Sequence, residues 1–325
     1  MINIENLNKK FIVDQSAQGF TGALKYLVKP DRKEVMAVTD LSLKINPGER
    51  IAFIGPNGAG KSTTIKMLSG ILRPTSGLIE IDGLTPFKER KQLSYKIGTV
   101  FGQKGQLWYH LPAKNTFDLL ASIYDLNKHE YKSRLHYLID SFDVGSIVNQ
   151  PVRKLSLGQR MRCEIIASLI HRPKILFLDE PTIGLDVTAK SIIRDLIKKS
   201  SSEEGTTIFL TSHDTGDMEK VCDRVIIINH GQLLIDGPVK DLRTNYIRKK
   251  IITLKTDIPD LDIKLEGAIK IHTSPHVSKF EIDTSMVGVE KLINLALAQT
   301  ELKDITVEDP PMEEIIQDIY SKAKQ

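Results

Sequence analysis

Two patterns of apolar and polar positions alternate along the first 240 residues of the chain. Nearly continuous apolar runs, typical of strands buried on both faces, occupy 51–54, 175–178, 207–210 and 225–228. Helical patterns separate these runs, at 60–69, 115–125, 130–141, 158–171, 187–200 and 214–221. Strands that alternate with helices predict crossover connections and a mostly parallel sheet, and therefore an α/β fold.

The amino-terminal region has a different pattern. Residues 1–6 and 41–45 alternate between apolar and polar side chains, which predicts two half-buried strands. The stretch 14–34 between them is basic and contains glycine, and we interpret it as an insertion with one short helix.

The elements become shorter after Gly237-Pro238. Strand patterns occur at 251–254, 269–272 and 279–282, and helical patterns follow at 287–298 and 312–322. This change predicts a domain boundary near residue 240. We therefore expect a first domain of residues 1–240 and a small α+β domain of residues 241–325.

Composition limits the class of protein without naming it. A chain of 325 residues accommodates about two domains, and its net charge of +4 is too small for a nucleic-acid-binding stripe, so we expect no nucleic-acid partner. Cys163 and Cys222 are too few for a disulfide framework or a four-thiolate zinc site. No apolar run approaches the ~18 residues that span a bilayer. We expect a soluble chain whose membrane role, if any, comes through a partner.

A glycine-rich motif follows the apolar run 51–54 and precedes a helical pattern, which is the context of a P-loop. Its residues are Gly55, Pro56, Asn57, Gly58, Ala59, Gly60, Lys61 and Ser62, followed by Thr63. Amide hydrogens of such a loop point at phosphates, and the helix start adds its positive dipole end. Lys61 is expected to reach the β- and γ-phosphates, and Ser62 to offer its hydroxyl to Mg²⁺. The Asn-Lys-x-Asp guanine reader of a GTPase is absent from the sequence.

Two acids end the apolar run 175–178. Asp179 and Glu180 would stand at the carboxyl end of a parallel strand, where ligands collect. We expect Asp179 to hold Mg²⁺ through water and Glu180 to orient and deprotonate the attacking water. A third motif, Leu155-Ser-Leu-Gly-Gln159, comes before the apolar-periodic helical residues 161–170 and predicts a second phosphate-binding helix start, with Ser156 as its N-cap.

These motifs resemble the ATP-binding cassette of ABC transporters over residues 1 to about 240. In that family the Leu-Ser-Gly-Gly-Gln signature of one subunit closes over ATP held by the P-loop of another, so that a dimer holds two ATP molecules. Residues 155–159 match the signature at four of five positions, with Leu157 in place of the first glycine. The residues that the resemblance assigns to the partner's ATP are Ser156, Gly158 and Gln159.

The resemblance implies three further roles. Gln103 corresponds to the Q-loop glutamine, which ligates Mg²⁺ and links the site to the membrane partner. Asp186 belongs to the D-loop, which runs across the dimer interface. His213 corresponds to the switch histidine, which contacts the γ-phosphate and holds the water-activating acid.

Two aromatic features have alternative interpretations. Phe11 is our candidate for stacking on the adenine ring, with Tyr26 as the alternative, although Phe11 is also compatible with plain core. Trp108, Tyr109 and Leu111 either present an apolar patch to a coupling helix of a permease or belong to local core.

The resemblance implies an ATPase subunit, with ATP and Mg²⁺ as cofactors, that forms a homodimer and drives export through a separate integral membrane permease. It also implies a cytoplasmic protein that is peripheral on the inner face of the cell membrane. The basic insertion and the segment around Trp108 resemble cassettes paired with exporters of drugs or cell-surface polymers. An importer ATPase, and a soluble ABC ATPase that acts on DNA, chromosomes or ribosomes, are the alternatives.

Overall fold

The computed structural model describes residues 1–14, 32–102, 105–246 and 249–322. Contacts divide the chain into two compact units, Met1–Gly237 and Pro238–Gln325. Within the described ranges, no helix combines the length and the hydropathy needed to cross a bilayer.

The first unit contains most of the regular structure. Its elements in chain order are β1 (Ile2–Asp14), β2 (Arg32–Ile45), β3 (Arg50–Ile54), α1 (Lys61–Leu68), β4 (Ser76–Ile81), α2 (Arg90–Ser94), β5 (Ile97–Phe101), α3 (Ala113–Ile123), α4 (Lys128–Ser141), α5 (Leu157–Leu169), β6 (Ile175–Asp179), α6 (Val187–Glu204), β7 (Thr207–Ser212), α7 (Thr215–Val221), β8 (Arg224–Asn229) and β9 (Gln232–Pro238).

A six-stranded sheet with the order β5-β6-β7-β3-β8-β9 forms the centre of this unit. The pairs β5/β6, β6/β7, β7/β3 and β3/β8 are parallel, as the alternation of strands and helices predicts. The register aligns the last residues of these strands, because Asp179 pairs with Thr211 and Ile54 pairs with Ser212. The loops after β3, β6 and β7 therefore leave the sheet at one edge.

A second sheet, antiparallel and with the order β2-β1-β4, packs over the first. One buried cluster joins the two sheets through side chains such as Ile2, Leu43, Phe53 and Phe209. The rings of Phe53 and Phe209 lie 5.1 Å apart between centroids. Burial of this apolar surface is the main stabilising contribution to the unit.

The predicted strands at 1–6 and 41–45 are too short. The first strand, β1, continues to Asp14, and the second, β2, begins at Arg32. Both ends of the predicted insertion therefore belong to a long hairpin. Register shifts between residues 4 and 10 break the regular alternation, and Ile12 and Val35 near the end of the hairpin are exposed. Because of these two features, the sequence of the hairpin does not alternate regularly between apolar and polar residues, and its full length could not be predicted. Residues 15–31, with the predicted short helix and Tyr26, lie outside the described residues.

A buried ion pair connects α4 to α6. The guanidinium of Arg134 on α4 donates to Glu204 at 2.5 Å and to the carbonyl oxygen of Leu169 at 3.0 Å. Arg134 is only 4% exposed, so the loss of either partner would leave a buried charge uncompensated. The pair therefore links α4, α5 and α6.

The second unit is a smaller α+β structure. It contains α8 (Val239–Tyr246), β10 (Lys249–Thr256), β11 (Ala268–Ser274), β12 (Val277–Asp283), α9 (Val289–Leu297), β13 (Leu302–Glu308) and α10 (Met312–Lys322). Its antiparallel sheet has the order β11-β12-β10-β13, and its core includes Ile252, Phe280 and Leu292. The sequence pattern missed α8 and β13. Six of the seven residues of β13 are exposed, so this strand has no alternation to detect.

Candidate functional site

The P-loop connects β3 to α1. At two of its glycines the neighbouring backbone lies so close that a side chain would not fit. A Cβ atom on Gly55 would lie 2.7 Å from the carbonyl oxygen of Ile228. Gly60, the N-cap of α1, has a φ of 104°, and a Cβ there would lie 2.4 Å from the carbonyl oxygen of Ala37. The loop can therefore wrap tightly at the start of α1, as a phosphate cradle requires.

Lys61 is held over this loop. Its ammonium donates to the carbonyl oxygens of Gly55 at 2.7 Å and Pro56 at 3.2 Å, and the residue is 6% exposed. Burial lowers the pKa of Lys61, while the charges of Glu180 and Asp179 act in the opposite direction. The ammonium thus lies between the loop and the two acids, where it can meet phosphate oxygens.

A carboxylate and two hydroxyl groups meet beside Lys61. Asp179 Oδ1 accepts from Thr211 Oγ1 at 2.6 Å and from Ser62 Oγ at 3.2 Å. Oxygen ligands of this kind suit Mg²⁺, which binds through one or two protein oxygens together with substrate phosphates and water. Among the described residues no group of three or more His, Cys, Asp and Glu could hold a metal by itself. The donor set fits a magnesium ion that arrives with the nucleotide.

Glu180 and His213 form a close pair. His213 Nε2 lies 2.6 Å from Glu180 Oε1 and 3.5 Å from Lys61 Nζ. Glu180 has a left-handed backbone with a φ of 54°, and its amide donates to the carbonyl oxygen of Thr211 at 3.0 Å. The two chemically active side chains predicted from the sequence are therefore together, at the edge where β6 and β7 end.

Asn57, Ser62, Asp179 and Glu180 line a cleft of about 420 Å³ together with Phe101. Glu180 also lines a neighbouring cleft of about 300 Å³, which contains His213. Gln103, predicted to reach the larger cleft, lies outside the described residues. Phe11 is on β1, is 36% exposed, and has the ammonium of Lys9 5.1 Å from its ring centroid. It is not among the residues that line the larger cleft.

The signature residues line a different cleft. Ser156 caps α5: its hydroxyl accepts from the amide of Gln159 at 3.2 Å, and its own amide donates to Gln159 Oε1 at 2.9 Å. Asp186 caps α6 by accepting from the amide of Ala189 at 2.8 Å. The groove of about 450 Å³ that contains Ser156, Gly158, Gln159 and Asp186 shares no residue with the P-loop cleft.

Sequence reasoning missed Asp217, which ties the catalytic segments together. This fully buried carboxylate accepts from Thr182 Oγ1 at 2.5 Å, Ser212 Oγ at 2.5 Å and Arg194 Nε at 2.6 Å. Thr182 follows Glu180 by two residues, and Ser212 immediately precedes His213. An aspartate in an amphipathic helical pattern gave no signal of this role.

A second buried acid was also missed. Glu164 on α5 accepts from the backbone amides of Gln106 at 3.0 Å and Leu107 at 3.4 Å, and its burial raises its pKa. It thus anchors the segment before Trp108 and Tyr109 to the helix that begins at the signature. The side chains of Trp108, Tyr109 and Leu111 are 47%, 55% and 39% exposed, so the interpretation as local core is wrong.

Comparison with known proteins gives the family of this chain. The family model "ABC transporter" matches residues 38–183. The ABC transporter ATP-binding protein NatA of Bacillus subtilis (strain 168) is 36% identical to this chain over 211 residues. The match covers 65% of this chain and 85% of NatA. The bacitracin transport ATP-binding protein BcrA of Bacillus licheniformis is 32% identical over 249 residues, 73% of this chain and 80% of that protein.

The chain belongs to the ATP-binding proteins of ABC transporters. A solved structure of cbiO1 from Clostridium perfringens, part of the ABC transporter complex cbiONQ, matches 75% of this chain and 90% of that one, with a TM-score of 0.62 and 29% identity. A dimeric ATP-binding cassette, MJ0796 with ADP and Pi, matches 74% of this chain and 99% of that one, with a TM-score of 0.61 and 25% identity. The predicted P-loop ABC fold is confirmed, and the protein is an ABC ATPase that binds ATP.

Replacement of Asp217 should loosen the ABC ATPase site. In Asp217→Asn the amide group cannot replace the charge that pairs with Arg194, and the loss of such a buried pair costs about 3 kcal/mol. We expect the midpoint of urea unfolding to fall and ATP turnover to fall with it. Asp195→Asn, at an exposed position of the same α6 helix, is the control. An unchanged unfolding midpoint in Asp217→Asn would show that Asp217 does not hold these segments.

Proposed function

We propose that this ABC ATPase drives export through a separate membrane permease, as a homodimer that closes around two MgATP. The observation that carries the proposal is the Glu180–His213 pair, with 2.6 Å between side-chain atoms and Lys61 beside it. Export is supported by the relatives, which include a bacitracin transport protein and daunorubicin and linearmycin resistance proteins.

In the proposed reaction the P-loop amides and Lys61 bind the β- and γ-phosphates. Ser62, Asp179 and Gln103 would hold Mg²⁺, which neutralises the charge of the phosphates when bound. Glu180 accepts a proton from the attacking water, and His213 holds the carboxylate in place through the contact of 2.6 Å. Phe11 remains our candidate for stacking on adenine, because its ring is exposed on β1, upstream of the P-loop in the chain.

The dimer explains why the chain has two separate anion-binding features. Ser156, Gly158 and Gln159 line a groove away from the P-loop of the same molecule, so they serve a nucleotide bound by another molecule. Asp186 lies in the same groove and would cross the interface. The match to a dimeric cassette supports this arrangement.

The permease would contact the exposed patch of Trp108, Tyr109 and Leu111. Large apolar side chains at 47%, 55% and 39% exposure indicate a surface that a partner covers. Glu164 connects the segment before this patch to α5, whose first turn contains the signature. Movement of the permease would then reach the ATP of the dimer through one helix. This arrangement implies a cytoplasmic protein on the inner face of the membrane.

We assign the two functional regions as residues 1–240, the ABC cassette, and residues 241–325, a carboxy-terminal accessory domain. The assignment is supported by the contact-based division after Gly237 and by a separate apolar core around Phe280. All the motifs for ATP lie in the first region.

Glu180→Gln should stop hydrolysis without preventing ATP binding. The amide cannot accept the proton of water, so we expect turnover to fall about 100-fold or more, while MgATP binding persists and the dimer accumulates. Phosphate release measures turnover, and sedimentation in MgATP measures the dimer, whose accumulation requires that MgATP is bound. Glu130→Gln, at an exposed position on α4, is the control. Normal turnover in Glu180→Gln would remove Glu180 as the general base.

Gly158→Asp should block closure rather than nucleotide binding. A Cβ at Gly158 would lie 3.0 Å from Cβ of Ala189, and a carboxylate there would repel the phosphates of the partner's ATP. We expect ATPase activity to be lost and the affinity of the single chain for ATP to remain. The matched control is Gly145→Asp, where the nearest atom to a new Cβ is 3.7 Å away. Full activity of Gly158→Asp would contradict a site shared between two chains.

A further inference from the structure

His213 lies on a short link between a strand and a helix. β7 ends at Ser212 and α7 begins at Thr215, so the link consists of His213 and Asp214. The side chain of His213 is 40% exposed, and its Nε2 atom lies 2.6 Å from Glu180 Oε1. A half-exposed side chain keeps such a contact only when neighbouring groups fix its backbone. The position of the ring therefore depends on what holds the two residues of the link.

Asp214 contacts three different segments. Its amide donates to Ser212 Oγ, at the end of β7, at 2.9 Å. Its Oδ1 atom caps α7 by accepting from the amide of Gly216 at 2.9 Å. The same oxygen lies 2.9 Å from Nη2 of Arg194 on α6. The residue next to His213 thus connects the strand before the link, the helix after it and a helix beside it.

Lys190 binds the second carboxylate oxygen of Asp214. Its Nζ atom donates to Asp214 Oδ2 at 2.6 Å, and the two side chains are 27% and 30% exposed. Burial acts to raise the pKa of Asp214, but the hydrogen bond from Lys190 and the charge of Arg194 hold that pKa below its usual value. Lys190 also lines the cleft of about 300 Å³ that contains Glu180 and His213. The ion pair therefore lies directly beside the two chemically active side chains.

The first turns of α6 hold Lys190 in this position. The amide of Lys190 donates to the carbonyl oxygen of Asp186, the N-cap of the helix, at 2.9 Å. One turn further along, Arg194 Nε donates to the buried carboxylate of Asp217 at 2.6 Å. Two cations one turn apart on α6 therefore bind the segment around the link, and Lys190 is the one that binds Asp214 from the side of the cleft.

Stability does not explain this ion pair. A partly exposed pair contributes little to the free energy of folding, whereas a small displacement of a group in a catalytic site can lower turnover strongly. We propose that Lys190 is a positioning residue for ATP hydrolysis, which holds Asp214 and thereby keeps the ring of His213 against Glu180. This inference rests on the roles of Glu180 and His213 in the proposed function. Lys190 acts on the reaction through Asp214 and not through the nucleotide.

The test is steady-state hydrolysis of MgATP by the full chain, with kcat and KM measured by phosphate release. We expect Lys190→Met to lower kcat about 10-fold or more, because methionine cannot bind Asp214. The KM for MgATP and the midpoint of urea unfolding should not change. Lys190→Arg keeps the charge, and its kcat should be close to that of the parent. Lys198→Met, at an exposed position on the same helix, is the matched control and should behave like the parent.

Two further backgrounds test whether Lys190 acts through the link. Asp214→Asn removes the charge and leaves a residue that can still cap α7, and His213→Ala removes the ring. In either background Lys190→Met should lower kcat no further, because the two substitutions interrupt the same connection. An equal loss of kcat in these backgrounds would show that Lys190 acts elsewhere, and would overturn the inference.

Other outcomes would also overturn it. They are an unchanged kcat in Lys190→Met, a raised KM, a lowered unfolding midpoint, or a Lys190→Arg variant as slow as Lys190→Met. If His213→Ala loses turnover and Lys190→Met does not, the inference alone fails. If His213→Ala turns over like the parent, the proposed role of His213 fails, and the inference fails with it.

Discussion

The parallel pairing of β3, β6 and β7 is the constraint on which the site depends. Its register places Ile54, Asp179 and Ser212 at one level of the sheet, so that the P-loop, Glu180 and His213 all begin within one residue of the same edge. A slip of one residue between β6 and β7 would turn Asp179 to the opposite face and separate the hydroxyl of Thr211 from its carboxylate. These strands are buried on both faces, so their side chains pack in the interior of the unit.

The chemistry also depends on acids that never meet the nucleotide. The buried carboxylate of Asp217 accepts hydrogen bonds from Thr182, Ser212 and Arg194. These bonds connect the segment that contains Glu180 to the segment that contains His213. Glu164 performs a similar task between α5 and the segment at Gln106. In a low-dielectric interior such hydrogen bonds are strong and expensive to leave unmade. These two carboxylates therefore hold the loops that carry the candidate site against the helices behind them.

Much of the cassette could be predicted because its signals are local. The P-loop, the acid pair after β6 and the signature are short motifs whose residues are adjacent in sequence, and the buried strands are apolar runs. The missed features depend on distant partners. Asp217 bonds residues 35 and 5 positions away, and Glu164 bonds an amide 58 positions away. The periodicity of apolar residues contains no information about such distant pairs. The full length of the β1–β2 hairpin was missed because its register shifts interrupt the alternation of apolar and polar residues.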